Sequence, residues 1–147
     1  MPAAGKSLAL PAPPRPLGQY VAAVATGDLL VVSGMLPLEH GLVVVGGRVG
    51  DTVDVDSGRR AAKLAALNAL AVAVDTVGSL DKIRRVVRAT VMMTTSAEFT
   101  AHAAVADGAS EVFASLFAEG HTRVVLGVNT LPLGATVLLD VTFEVRR

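Results

Sequence analysis

The sequence contains no cysteine and no tryptophan, and it is poor in aromatic residues. Its 147 residues include one Tyr and four Phe, which together make only 3% of the chain. Without cysteine there is no disulfide, no thiolate nucleophile and no sulfur ligand for a metal, and the redox compartment is left open. So few aromatic rings also argue against the base-stacking surface on which single-strand nucleic-acid binding depends.

An excess of charge of either sign is also absent. Thirteen Lys and Arg residues balance thirteen Asp and Glu residues, so no net field attracts the chain to a polyanion. The three histidines, His40, His102 and His121, lack the i,i+4 spacing of a helical metal pair. We therefore predict no metal, no other cofactor and no nucleic-acid partner.

Long apolar runs are missing as well. A helix that spans a bilayer needs about 18 or more consecutive apolar residues, and the N-terminal stretch MPAAGKSLALPAPPRP is a poor secretion signal because prolines break its apolar patch. We therefore expect no membrane association and a cytoplasmic location. What the chain does have is 52% hydrophobic residues, enough for one core in a domain of about 100 to 200 residues.

The two ends of the chain differ in composition. Five of the seven prolines fall within residues 1–16, which favours an extended, solvated arm, and we predict one domain over residues 17–147. Two β-type runs around Thr26, Gly27 and Asp28 predict a hairpin. Residues 35–53 are rich in glycine and predict a loop with one short strand at 42–45.

From Asp54 the apolar spacing becomes helical. Asp54 or Asp56 is a candidate N-cap, and Gly78 is placed for a left-handed C-terminal cap. The apolar face is predicted from Leu64, Leu67, Ala71 and Val74, widened by Leu70 and Val77. Alanines would let this helix lie close against a sheet; they stand at Ala61, Ala62, Ala65, Ala66 and Ala69.

The remaining elements alternate. Residues 82–95 predict a strand with Val87, Ala89, Val91 and Met93 on one face. Thr95 with Glu98 predicts a capping box that opens a second helix ending at Phe117, which Gly108 would weaken. Strands are predicted at 123–128 and 136–146, on either side of a Leu-Pro-Leu-Gly turn.

The order β-β-α-β-α-β-β predicts an α+β fold in which two helices pack on one face of one sheet. The other face carries scattered apolar side chains, such as Val86, Met92 and Leu138. No helix remains to cover them, so we predict that identical chains associate through this face.

Three stretches, in this order, resemble the RidA/YjgF family, also known as L-PSP-type endoribonucleases. LGQYVAAVATGDLLVVSGMLPL resembles the opening of that family, and NALAVAVDTVGSLDKIRRVVRATVMMTTSAEF its helix and following strand. RVVLGVNTLPLGATVLLDV resembles its C-terminal signature. The resemblance covers residues 17–145, and the loop GGRVG and the second helix are most similar to the longer members.

The resemblance implies a chorismate-mutase-like fold and a homotrimer with clefts between its subunits. It also implies hydrolysis of reactive enamines and imines, such as 2-aminoacrylate, to keto acids and ammonia. The arginine that holds the substrate carboxylate in this family corresponds to Arg123. The tyrosine and the Ser-Gly pair that line the cleft correspond to Tyr20, Ser33 and Gly34.

Three positions depart from the family pattern. Leu138 stands where a Glu positions or activates water, and leucine cannot accept a proton. Asp140 matches the next acidic position and is the candidate replacement, although two residues along a strand span about 6.6 to 6.8 Å. Asp107 stands where many members carry Asn. The resemblance thus leaves three functions open: an enamine or imine deaminase, a catalytically silent module that binds a small carboxylate metabolite, and an endoribonuclease.

These residues also have structural interpretations. A guanidinium grips a carboxylate with two parallel bonds at physiological pH, but Arg123 could instead form a salt bridge to Asp140 or Glu144. His121 could relay protons or simply be solvated. No His/Asp triad accompanies Ser33, which argues against a nucleophilic serine.

Overall fold

The computed structural model describes residues 8–146, which form seven strands and two α-helices. The elements are β1 Ala23–Thr26, β2 Leu29–Met35, β3 Leu38–Glu39, β4 Leu42–Val43, α1 Val55–Val77, β5 Ile83–Thr94, α2 His102–Leu116, β6 Thr122–Val128 and β7 Val137–Val145. Five strands form one sheet in the order β1-β2-β7-β5-β6. Only β5 and β6 pair in parallel among these neighbours. The predicted α+β architecture is confirmed, and β3 with β4 adds a small separate hairpin that the sequence only half predicted.

Helix α1 begins and ends where the sequence predicted. The side chain of Asp54 accepts a hydrogen bond of 2.7 Å from the backbone N–H of Ser57, and Gly78 ends the helix at φ 102°. The predicted alanines are all fully buried, so the helix does lie close to the sheet. Leu64 and Leu67 are only half-buried, because they flank the deepest face of the helix, which the alanines and the fully buried Leu70 form.

Strand β5 contains a bulge that reverses part of the predicted pattern. Val86 pairs with Phe143 and Arg88 with Thr142, so Val87 is an extra residue between two consecutive partners. Val86 is 1% exposed and Val87 is 37% exposed. The prediction that Val87 lies on the buried face is therefore wrong, and so is the assignment of Val86 to the open face.

Helix α2 starts later than predicted. The capping box at Thr95 and Glu98 is wrong, because this backbone pairs with the preceding loop: the N–H of Ser96 donates to the carbonyl of Val49 over 2.9 Å. The helix begins at His102 without a side-chain cap. The helix continues through Gly108, where a Cβ would lie 2.8 Å from the carbonyl carbon of Arg59 in α1. Glycine thus allows the close approach of the two helices.

The N-terminal arm is less solvated than its prolines predicted. Residues 8–16 contain no helix or strand, but Leu8 and Leu10 are partly buried against the core. Apolar side chains within the proline-rich stretch supply this contact, while residues 1–7 lie outside the described part of the chain. The division of the chain at residue 16 stays a prediction.

The face of the sheet away from the helices is apolar and open. Val24 and Val31 pair across β1 and β2 and are 53% and 42% exposed, and Leu126 on β6 is 46% exposed. A patch of this kind on a sheet face usually marks an interaction surface. Among residues 8–146, neither helix has the length and apolarity needed to cross a bilayer.

Candidate functional site

Arg123 lies on β6, which forms one edge of the sheet. It pairs with the buried Ala89 of β5, and its side chain extends on the helix side of the sheet. There, Nη1 donates to Oδ1 of Asp107 over 2.7 Å and to Oγ of Ser110 over 3.0 Å. The acid that pairs with Arg123 is therefore on α2.

His121 completes what we call the arginine cluster, formed by Asp107, Ser110, His121 and Arg123. Its Nε2 lies 3.0 Å from Oγ of Ser110. Because the Ser110 oxygen accepts a hydrogen from Arg123, its own hydrogen is available to Nε2, which suits a neutral imidazole. Burial, and secondarily the charge of Arg123, lower the pKa of His121 below its ordinary value of 6.5.

The cluster leaves one side of the guanidinium available. Both bonds from Arg123 leave Nη1, and Nε and Nη2 make no hydrogen bond to any residue between 8 and 146. The side chains of Arg123 and Asp107 are 25% and 47% exposed, so a small molecule can reach them. An unused Nε/Nη2 pair has the spacing for a bidentate bond to a carboxylate.

Three other residues that the sequence predicted for the site lie together in a separate cavity. Tyr20, Gly34 and Leu138 line a cavity of about 360 Å³ whose walls are mostly apolar and whose rim includes Arg15. We call it the apolar cavity. Asn68, buried in α1, donates to the carbonyls of two further wall residues, Leu36 and Leu38, over 3.0 Å each, and so holds that wall in place.

Leu138 is in close contact with Gly34. A Cβ on Gly34 would lie 2.9 Å from Cδ2 of Leu138, closer than carbon atoms approach without a shift. Glycine at position 34 therefore makes the space that the leucine occupies. The wall here is apolar where a glutamate at position 138 would be polar.

Ser33 and Tyr20 are engaged in local bonds. The hydroxyl of Ser33 donates to the carbonyl of Val21 over 2.7 Å, and its N–H donates to Ala22 over 2.8 Å. The hydroxyl of Tyr20 accepts a hydrogen bond from the N–H of Leu17 over 3.0 Å, and the residue is 49% exposed. Ser33 thus holds the segment before β1, and the Tyr20 hydroxyl can still donate.

Within one chain, the arginine cluster lies at one edge of the sheet, and Tyr20 of the apolar cavity lies at the other. Tyr20 precedes β1 at one edge, and Arg123 lies on β6 at the other. Asp140 is exposed between the buried Leu139 and Val141, so it lies on the face away from the helices and from Arg123. One chain therefore does not bring Asp140 to Arg123.

The alternative salt bridge from Arg123 to Asp140 or Glu144 is wrong. Oε1 of Glu144 lies 3.0 Å from Nε of Arg85 on the neighbouring β5, which occupies this carboxylate. Sequence reasoning missed Ser110, which a helical reading could have found three residues after Asp107, on the same side of α2. It also missed Asn68, whose signal is a polar residue in an otherwise apolar helix face.

Residues 8–146 contain no group of three or more His, Cys, Asp and Glu side chains arranged to hold a metal ion. The side chains that the cluster does gather are a cation, an anion, a hydroxyl and an imidazole. This set suits the recognition of a small polar molecule through hydrogen bonds and charge.

Comparison with known proteins identifies a matching family and related sequences. The family model described as "YjgF/chorismate mutase-like, putative endoribonuclease" matches residues 2–145. Protein TCP17 of Trypanosoma cruzi is 37% identical over 138 residues, which cover 92% of this chain and 86% of that protein.

Two solved structures share most of both chains. The protein Atu1372 of Agrobacterium tumefaciens, described as of unknown function, is 38% identical with a TM-score of 0.88, over 95% of this chain and 87% of that one. A protein of Shewanella oneidensis, described as a putative endoribonuclease, is 28% identical with a TM-score of 0.89, over 94% and 93% of the two chains.

Proposed function

The chain belongs to the YjgF/chorismate-mutase-like family, and from that premise we propose that it binds small carboxylates, with Arg123 as the residue that holds the anion. The family match confirms the RidA/YjgF resemblance of the sequence motifs. The main observation in support is the unused Nε/Nη2 side of Arg123, which lies at the surface and is oriented by Asp107 and Ser110. A guanidinium held by two neighbours loses little further freedom when a carboxylate binds.

The binding cleft that we propose lies between identical protomers of a homotrimer. Arg123 and Tyr20 are at opposite edges of the sheet, and a ring of subunits joins unlike surfaces at every interface. Such a ring would bring the arginine cluster of one protomer near the apolar cavity of the next. The exposed Val24, Val31 and Leu126 support burial of the open sheet face in this assembly.

The assembly can be tested with the purified protein in solution. Light scattering coupled to size exclusion should give three times the mass of one chain. Replacing Val31 and Leu126 by Asp should reduce that mass, whereas replacing the exposed Leu133, which lies in the turn before β7, should not. A monomer in the unmutated protein would contradict the interfacial cleft.

The reaction that we propose is hydrolysis of an enamine or imine beside a carboxylate. An enamine first takes a proton from solvent on its terminal carbon and becomes an iminium. Water then adds to the carbon of the C=N bond, a proton passes from the added water to the nitrogen, the C–N bond breaks, and a keto acid and ammonia leave. Arg123 would orient the carboxylate, but the apolar Leu138 cannot activate water, and Asp140 lies on the other face of the sheet. Rate acceleration would therefore depend on binding and orientation, and would be smaller than with a glutamate at position 138.

The experiment measures ammonia release from freshly generated 2-aminoacrylate. The protein should exceed buffer, and Arg123→Ala should abolish the difference. Arg60→Ala, which removes an exposed arginine from α1, is the matched control and should stay active. If the unmutated protein does not exceed buffer, it is not an enamine or imine deaminase.

A second candidate function is a catalytically silent module that binds the same carboxylates. The contact between Leu138 and Gly34 favours it, because this contact puts an apolar wall where the family's glutamate stands. Leu138→Glu should then create or raise ammonia release while leaving ligand binding in place. A parent protein already as fast as Leu138→Glu would contradict the silent module.

RNA cleavage is the activity that the family description and the Shewanella relative name. The balanced charge and the 3% aromatic content of this chain argue against it. Incubation of purified protein with a labelled RNA should yield no cleavage above a mock preparation. Cleavage that Arg123→Ala removes would establish the ribonuclease instead.

A further inference from the structure

The carboxylate of Asp107 beside Arg123 bears on which ligand the cluster selects. Oδ1 of Asp107 accepts from Nη1 of Arg123 over 2.7 Å, and no other described residue makes a hydrogen bond to this carboxylate. The Asp107 side chain is 47% exposed. Its second oxygen is therefore accessible to a ligand that already contacts the arginine.

The charges around Arg123 cancel. Arg123 and Asp107 carry opposite charges, Ser110 is neutral, and the lowered pKa of His121 keeps its ring neutral at physiological pH. The adjacent Arg59 and Glu111 form a second pair, 2.5 Å apart. A simple anion thus meets as much negative as positive charge, and its attraction to Arg123 is offset by its repulsion from Asp107.

We propose that the arginine cluster selects α-amino or α-imino acids in their zwitterionic form over keto acids of the same size. The carboxylate would bind Nε and Nη2 of Arg123, and the cationic nitrogen would donate to Oδ2 of Asp107. This rests on the proposed function, in which Arg123 holds the carboxylate. In such a ligand one carbon separates the carboxylate from the cationic nitrogen. In the cluster, Arg123 and Asp107, which would bind these two groups, are hydrogen-bonded to each other.

A keto acid is disfavoured for a definite reason. Its carbonyl oxygen takes the place of the nitrogen and faces the Asp107 carboxylate with no hydrogen to donate, so two acceptors oppose each other. If the protein hydrolyses an iminium carboxylate, the same contact would hold the substrate and weaken the binding of the keto acid product. An asparagine at position 107 can donate its amide hydrogen to the carbonyl and would remove this difference.

The experiment compares L-alanine with pyruvate, which differ at the second carbon, by calorimetric titration of the full-length protein. The unmutated protein should bind alanine about tenfold or more tightly than pyruvate, given the strength of hydrogen bonds to charged groups. Asp107→Asn, which is nearly isosteric, should lose or reverse this ratio. Arg123→Ala should lose both ligands.

The outcomes separate the two proposals. Equal or tighter binding of pyruvate to the unmutated protein would overturn the zwitterion preference and leave Arg123 as a carboxylate anchor. If neither alanine nor pyruvate binds, both proposals fail. The alanine-to-pyruvate ratio of the unmutated protein decides the matter even where a substitution prevents folding.

Discussion

The arginine cluster and the apolar cavity are built in opposite ways from the same chain. In the cluster, polar groups bond to one another: Arg123 to Asp107 and Ser110, and Ser110 to His121. In the cavity, the wall is apolar and the local polar groups are turned to their own backbone, as in the bond from Ser33 to Val21. The cluster therefore provides charged groups with directional hydrogen bonds but no enclosed space for a ligand. The cavity provides enclosed space with few charged groups.

One glycine allows close packing behind the arginine cluster and another does so in the apolar cavity. The two positions differ in the atoms that the methyl group of an alanine would contact. At Gly108, behind the cluster, the neighbour is the backbone of Arg59. At Gly34, in the cavity, the neighbour is the side chain of Leu138. A backbone inside a helix cannot shift alone, whereas a leucine can change rotamer. An added methyl group is therefore tolerated less well behind the cluster than in the cavity.

The largest effect is expected from Gly108→Ala. Because its Cβ would overlap the backbone of Arg59, α2 must move away from α1, and we expect the free energy of unfolding to fall by about 3 kcal/mol. Chemical denaturation measures it. Ser115→Ala, on a more exposed turn of α2, is the control and should cost less. A loss below about 1 kcal/mol would mean that the helices separate easily.

A smaller effect is expected from Gly34→Ala in the apolar cavity. The added methyl group contacts the Leu138 side chain, and we expect a loss of about 1 kcal/mol. Combining it with Leu138→Ala should cost less than the sum of the two single changes, because the shorter side chain makes room. Strict additivity in this double-mutant cycle would contradict the contact.

Ser33→Ala should have a similar or slightly smaller effect. It removes one hydrogen bond, from the hydroxyl to the carbonyl of Val21, and we expect a loss of about 1 kcal/mol. Ligand binding should change little, because the role proposed for Ser33 is to hold the segment before β1. A complete loss of ammonia release with unchanged stability would instead assign Ser33 to catalysis.

The smallest effect is a dependence on pH at the cluster. The pKa of His121 is lowered on folding from 6.5, so near this value the unfolded chain binds more protons than the folded one. Stability is fully present above the unfolded pKa and is lost as pH falls through the folded pKa. Denaturation midpoints between about pH 7.5 and about pH 5 should therefore fall less for His121→Gln than for the unmutated protein. An identical pH slope would contradict the lowered pKa.

The elements that local patterns predicted well are those whose signals lie in adjacent residues. Helix α1 runs from the Asp54 cap to Gly78, and β7 alternates from Val137 to Val145, as expected. The predictions failed where a distant segment intervenes. Thr95 lies in a stretch that pairs with the Val49 loop and does not cap α2, and the bulge at Val87 follows from pairing with β7.

The residues of the candidate site also divide into those that local patterns predicted and those that they missed. Arg123, Asp107, Tyr20 and Leu138 were predicted from motif order, and their role in binding stays a prediction. The partners that set their chemistry were not, because Ser110 and Asn68 belong to no motif and act through contacts across the fold.

By itself the sequence determined the class of fold, the caps of the first helix and the presence of an arginine shortly before an apolar final strand, since periodicity and turn chemistry act over a few residues. Only the tertiary structure decided that Arg123 faces α2 and pairs with Asp107. It also decided that Leu138 lies against Gly34 on the face of the sheet away from the helices. Strand order and register depend on the packing of the whole chain, and a local pattern does not contain them.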